Sequence, residues 1–83
     1  MKVRYFAWMK RTVGLAEEEV SPPPEVATVG DLVKWLRARS AGHAEALAEG
    51  AAFGAAVDKQ TATFDVQVAG AREVAFFPPF TGG

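Results

Sequence analysis

The sequence contains no cysteine and a single histidine, His43, among its 83 residues. The first absence excludes a disulfide staple, a thiolate nucleophile and any cysteine-ligated zinc or iron–sulfur site. The second excludes a metal site built from histidines. Excess charge is missing too: nine Lys and Arg stand against ten Asp and Glu, a net charge of −1. Such a balance offers no electrostatic footprint for nucleic acid or an anionic membrane. No apolar run approaches the roughly 20 residues that span a bilayer. The opening Met1-Lys2-Val3-Arg4 lacks the apolar stretch of a signal peptide. We therefore expect a soluble, cytoplasmic chain that binds neither nucleic acid nor membrane and holds no metal. Its length suits one small domain with little room for an enclosed substrate pocket, so any chemistry would draw on a partner's surface.

The elements read as strand, strand, helix, then strands. Lys2–Trp8 alternates, with Lys2, Arg4 and Phe6 on one face and Val3, Tyr5 and Ala7 on the other, as in a half-buried strand. Ala7–Val13 could add two helical turns stopped by Gly14. Glu17–Val20 reads as a polar edge strand whose Glu17, Glu18 and Glu19 are all solvated. Pro22-Pro23-Pro24 makes a connector that cannot pair as a strand. Thr28 and Asp31 fit a capping box ahead of the best helix, where Val29, Leu32, Val33 and Leu36 form the apolar stripe and which ends by Gly42. His43 reads as a surface or capping residue. A short helix near Glu45–Ala48 and a strand over Phe53–Val57 follow, then a turn at Asp58-Lys59-Gln60, a short strand or extended loop over Thr61–Phe64 and a turn at Ala69–Arg72. The last strand, Glu73–Phe77, points Glu73, Ala75 and Phe77 outward and Val74 and Phe76 inward. This order suits an α+β domain, one sheet with a helix across one face.

No conventional active site emerges. The glycines form neither a phosphate loop nor a dinucleotide fingerprint, and Glu45 and Glu49, four apart, suit a solvated helix face. The end of the chain is different: Phe76-Phe77-Pro78-Pro79-Phe80-Thr81-Gly82-Gly83. Two prolines prevent further pairing and give the exit a direction. Residues 80–83, if extended, project roughly 13 Å. Two glycines without Cβ atoms could thread a terminal carboxylate down a channel too narrow for side chains. Such an arm is what an acyl-activating enzyme would need.

The segment from Glu73 to Gly83 closely resembles the C-terminus of MoaD-type ubiquitin-like sulfur carriers, the small subunits of molybdopterin synthase. The likeness extends to Val3-Arg4-Tyr5-Phe6-Ala7, Thr28-Val29-Gly30-Asp31-Leu32 and Ala55-Ala56-Val57-Asp58. The chain departs from the family at Asp58, often Asn there, and at Gly70-Ala71-Arg72-Glu73, often an acidic turn. The resemblance implies a β-grasp fold with a mixed sheet and one main helix, a single domain over residues 1–79 and a Gly-Gly tail over 80–83. It also implies that Gly83 is the reacting residue, adenylated and then converted to a thiocarboxylate, with Phe80, Thr81 and Gly82 inserted into a partner. The implied partners are a molybdopterin synthase large subunit, an E1-like adenylating enzyme that uses ATP and Mg²⁺, and a sulfurtransferase as sulfur donor. Sulfur would pass to cyclic pyranopterin monophosphate in molybdenum cofactor biosynthesis. The catalytic groups would lie on the large subunit, leaving this chain a non-catalytic donor with no bound cofactor. Carriers for thiamine, cysteine or tRNA thiolation share the tail chemistry but usually lack Pro78-Pro79. A ubiquitin-like conjugating or binding module is the other alternative.

Strand parity adds a separate expectation. If the first and last strands are neighbours, as in a β-grasp sheet, Phe6 and Phe77 share an exposed patch beside Pro78 and Pro79, a surface suited to a partner.

Overall fold

Alternating side chains build β1 (Lys2–Tyr5), with Val3 and Tyr5 buried and Lys2 exposed. The structure, a computed structural model, describes residues 1–79. Beyond β1 the strand does not continue as expected. Ala7 adopts φ 54°, ψ −132°, a conformation that L-residues rarely take. It is exposed rather than inward, and it turns the chain directly into α1 (Trp8–Val13). Gly14 ends that helix as read from the sequence, left-handed at φ 93°, with its N–H donating to the Lys10 carbonyl at 2.9 Å.

After β2 (Glu17–Glu19) and the proline connector, α2 (Val29–Arg37) buries Val29, Leu32, Val33 and Leu36. Its capping box is present: Thr28 Oγ1 accepts from the Asp31 N–H at 3.1 Å, and Asp31 Oδ2 accepts from the Thr28 N–H at 3.2 Å. Two further first-turn donors are met from the later loop, Val29 N–H by the Val66 carbonyl and Gly30 N–H by that of Phe64, both at 2.9 Å. The next helix, α3 (Ala41–Ala46), starts before the expected Glu45–Ala48 because Ser40 caps it, accepting from the His43 N–H at 3.1 Å. It also runs through Gly42, where a Cβ would stand 2.6 Å from the Thr12 carbonyl oxygen; the missing side chain lets α3 approach α1.

A tight turn with Asp58 at φ 47° and Lys59 at φ 72° joins β3 (Gly54–Val57) to β4 (Gln60–Ala62), which ends before the expected Phe64. Asp58 Oδ1 accepts from the Arg72 and Glu73 N–H groups at 2.9 and 3.0 Å, anchoring the start of β5 (Glu73–Phe77). The five strands lie in the order β2-β1-β5-β3-β4. β1 and β5 are parallel and the other pairs antiparallel, which with α2 over one face is the β-grasp arrangement. On the covered face Val3, Tyr5, Ala55, Val74 and Phe76 meet Met9, Leu32, Leu36 and Leu47.

Candidate functional site

Register places the outward residues in rows. Lys2 stands opposite Glu73 and Arg4 opposite Ala75, and the Phe6 N–H donates to the Phe76 carbonyl at 3.1 Å, carrying the pairing one step past β1. Across β5, Ala75 faces Ala56 and Phe77 faces Gly54. The open face therefore has Ala75 and Ala56 at its centre, with Phe6, Phe77 and Gly54 at the end where the chain leaves β5. Ala75 shares this face but is not exposed as its parity suggested: its short side chain lies between Arg4 and Ala56 on the neighbouring strands and is 8% accessible.

Phe6 and Phe77 thus fall on one face of adjoining strands, as strand parity requires, but each ring has its own neighbour. Phe6, 39% exposed, lies under the Arg4 guanidinium, 5.0 Å from its centroid. The Phe77 ring leans the other way, over Gly54, and is half-buried. Pro78 is half-buried and Pro79 exposed at the exit. Around the centre, Lys2 and Arg4 approach Glu17 at 3.6 and 3.8 Å, and Arg4 approaches Glu73 at 4.0 Å. The face is an apolar centre with a charged rim of both signs. Phe80, Thr81, Gly82 and Gly83, the expected inserted tail and reacting residue, lie outside the described residues.

Two expectations for polar side chains fail on the covered face. Glu18 is not solvated and His43 is not a surface residue: His43 is 5% exposed. With Glu17 and Glu19 outward, the alternation of β2 turns Glu18 under α3. There Glu18 Oε2 accepts from Tyr5 Oη at 2.7 Å and lies 2.6 Å from His43 Nε2, while Arg39 Nε stands 3.5 Å from Oε1. His43 Nδ1 and Ser40 Oγ are 2.7 Å apart, completing the chain of contacts. Burial works to raise the Glu18 pKa, but the hydrogen bonds from His43 and Tyr5 outweigh it and hold the carboxyl below its ordinary value. The Tyr5 hydroxyl is pushed upward by burial and by the carboxylate beside it. Every buried polar side-chain atom here has a partner, so the cluster clasps α3 to the sheet. The period-two alternation of β2 was the signal that one of three consecutive glutamates must turn inward.

An open hollow of about 460 Å³ is lined by Asp58, Lys59, Arg72 and Glu73, at the end of the sheet remote from Phe77. Its Asp58 carboxylate is already engaged by two backbone N–H groups. Among the described residues no group of three or more His, Asp or Glu could hold a metal ion, and no helix is long and apolar enough to cross a membrane.

Comparison with known proteins gives concordant matches. Residues 3–83 match the model of the ThiS family. The chain is 39% identical over 83 residues to the molybdopterin synthase sulfur carrier subunit of Escherichia coli (strain K12), covering 100% of this chain and 99% of that one. Among solved structures, a putative molybdopterin converting factor, subunit 1, from Pyrococcus furiosus superposes with a TM-score of 0.72 at 29% identity over 95% of each chain. SAMP1 from Haloferax volcanii superposes equally well, TM-score 0.72 at 25% identity, over 100% of this chain and 98% of that one. These matches bear out the resemblance and the ubiquitin-like fold.

Proposed function

The chain belongs to the ThiS family, and from that premise we propose that it is the sulfur-carrying small subunit of a molybdopterin synthase, acting in the cytoplasm. The observation that carries this reading is that both the family match and the 39% identity to a molybdopterin synthase sulfur carrier extend through the terminal Pro78-Pro79-Phe80-Thr81-Gly82-Gly83.

A carboxylate resists attack by sulfur because its oxygen is a poor leaving group, and activation removes that obstacle. An E1-like enzyme holding ATP and Mg²⁺ would join the Gly83 carboxylate oxygen to the α-phosphate of ATP, releasing pyrophosphate. A persulfide sulfur presented by a sulfurtransferase then attacks the acyl carbon and AMP departs; the acyl disulfide so formed is cleaved by a second thiol, which takes the donor sulfur into a new disulfide and leaves the thiocarboxylate on Gly83. The large subunit receives the tail, with Phe80, Thr81 and Gly82 in its channel, and sulfur passes to cyclic pyranopterin monophosphate. Docking uses Phe6, Phe77, Pro78 and Pro79, the apolar residues nearest the root of the tail. The acids, bases and cations of the transfer belong to the large subunit, and this chain contributes the acyl end.

Mass spectrometry of the protein incubated with activating enzyme, MgATP and a sulfur source tests the proposal. Exchange of one oxygen for sulfur at Gly83 is the expected result, together with dithiolene formation once the large subunit and precursor are added. A lysine-linked adduct, or an unchanged mass, would overturn it. One residue appended after Gly83 should abolish sulfur loading and leave the thermal transition unchanged, because the acyl end is then an ordinary peptide bond.

A further inference from the structure

Gly54 opens β3 directly opposite Phe77. A Cβ placed on it would stand 2.5 Å from Phe77 Cε1, 3.1 Å from Cζ and 3.2 Å from Cδ1. Carbon atoms in favourable contact lie about 3.5–4.0 Å apart. One edge of the Phe77 ring therefore occupies the space that any side chain at position 54 would need. The backbone does not demand glycine here, since the described glycines at positive φ are Gly14, Gly50 and Gly70. What requires the missing side chain is the ring. An aromatic laid over a cross-strand glycine restores the contact that the glycine forgoes, and is held by it in return.

We propose that Gly54 is a positioning residue of the docking face: by having no side chain it seats the Phe77 ring against β3, in the shape that the large subunit meets. This rests on the docking reading given above. A ring already held in one orientation loses less freedom on association than one free to swing. Filling position 54 should tax docking and not folding. The ring sits at the end of two rotatable bonds and can move outward into solvent, and alanine is no worse than glycine in a strand.

The test is a double-mutant cycle with purified large subunit, using Gly54→Ala, Phe77→Ala and the double variant, with a thermal melt of each. Phe77→Ala should weaken association by about tenfold or more, as expected of an aromatic anchor. Gly54→Ala should weaken it by about three- to tenfold with an unchanged or raised melting temperature, and should add less than about twofold once Phe77 is alanine. Full affinity in Gly54→Ala, alongside a weakened Phe77→Ala, would overturn the seat and leave the docking reading standing. An equal loss in both backgrounds would also overturn it, because the effect would then not pass through the ring. Full affinity in Phe77→Ala would overturn the docking reading, and the seat's role with it. The aromatic proton shifts of Phe77 in Gly54→Ala report ring displacement separately: unchanged shifts would refute the seat whatever the affinities.

Discussion

Phe76 and Phe77 are consecutive in β5 and meet opposite environments. Phe76 is wholly buried, its ring 6.2 Å from that of Tyr5 and 5.9 Å from that of Phe53. Phe77 stands half-open on the other face with a glycine beneath it. The covered face is crowded with large apolar side chains and tied by the Tyr5–Glu18–His43 contacts; the open face has alanines at its centre and a glycine under Phe77. Small residues let a sheet stay smooth where a partner lies across it, whereas bulk and polar ties hold helices in place. Under the proposed docking role, folding and docking are divided between the two faces, and each substitution should disturb mainly one of them.

The sharpest contrast is between neighbours. Phe76→Ala should cost about 3–5 kcal/mol by opening a cavity in the core, a large share of the roughly 5–15 kcal/mol that holds a domain. Phe77→Ala should change stability by less than about 1 kcal/mol and act instead on affinity for the large subunit, more strongly than Phe53→Ala. Urea denaturation and binding measured on the same variants would separate the two. Similar losses of stability from Phe76→Ala and Phe77→Ala would erase the division between the faces.

The polar clasp comes next in size. Glu18→Ala strands the Tyr5 hydroxyl and the His43 ring nitrogen, so a loss of about 2–3 kcal/mol is expected. It should also flatten part of the acid limb of the stability curve. Glu18 and Asp31 both have carboxyls held below their ordinary values, Glu18 against the raising effect of its own burial and Asp31 chiefly through the Ala27 and Thr28 N–H groups. A carboxyl depressed on folding stabilises above its unfolded pKa and loses that contribution as pH falls through its folded value. Wild-type stability should therefore decline below the usual carboxylate range, and Glu18→Ala should decline less steeply. Parallel curves would show that Glu18 titrates alike in both states.

Much of this division was legible in the sequence. Thr28, Asp31 and the Val29–Leu36 stripe announce α2, because caps and periodicity are local signals. The parity of β1 and β5 puts Phe6 and Phe77 on one face once the two strands are neighbours. The clasp was not legible in the same way. Glu18 and His43 are 25 residues apart, and a histidine beside a glycine looks like a helix end until α3 is seen to start at Ala41, capped by Ser40, and press Gly42 against α1. Gly54 was equally hidden, since its role depends on the direction in which the Phe77 ring leans. Ala7 was misplaced because alternation predicts more strand and carries no warning of a turn at positive φ.

The smallest expected effect probes the covered face without reaching the open one. Thr28 Oγ1 accepts from the Asp31 N–H, and Asp31 returns the bond to the Thr28 N–H. Thr28→Ala removes one of these two bonds and should cost about 1 kcal/mol, lowering the thermal midpoint by about 4–8 °C for a domain this small. The loss should stop there. Val29 and Gly30 keep their acceptors at Val66 and Phe64, so the first turn of α2 remains anchored to the loop before β5. With the rows Lys2–Phe6 and Glu73–Phe77 undisturbed, affinity for the large subunit should stay within about twofold of wild type. A weakened cap that also weakened docking would mean that strain in α2 reaches through the sheet, and that the two faces are coupled.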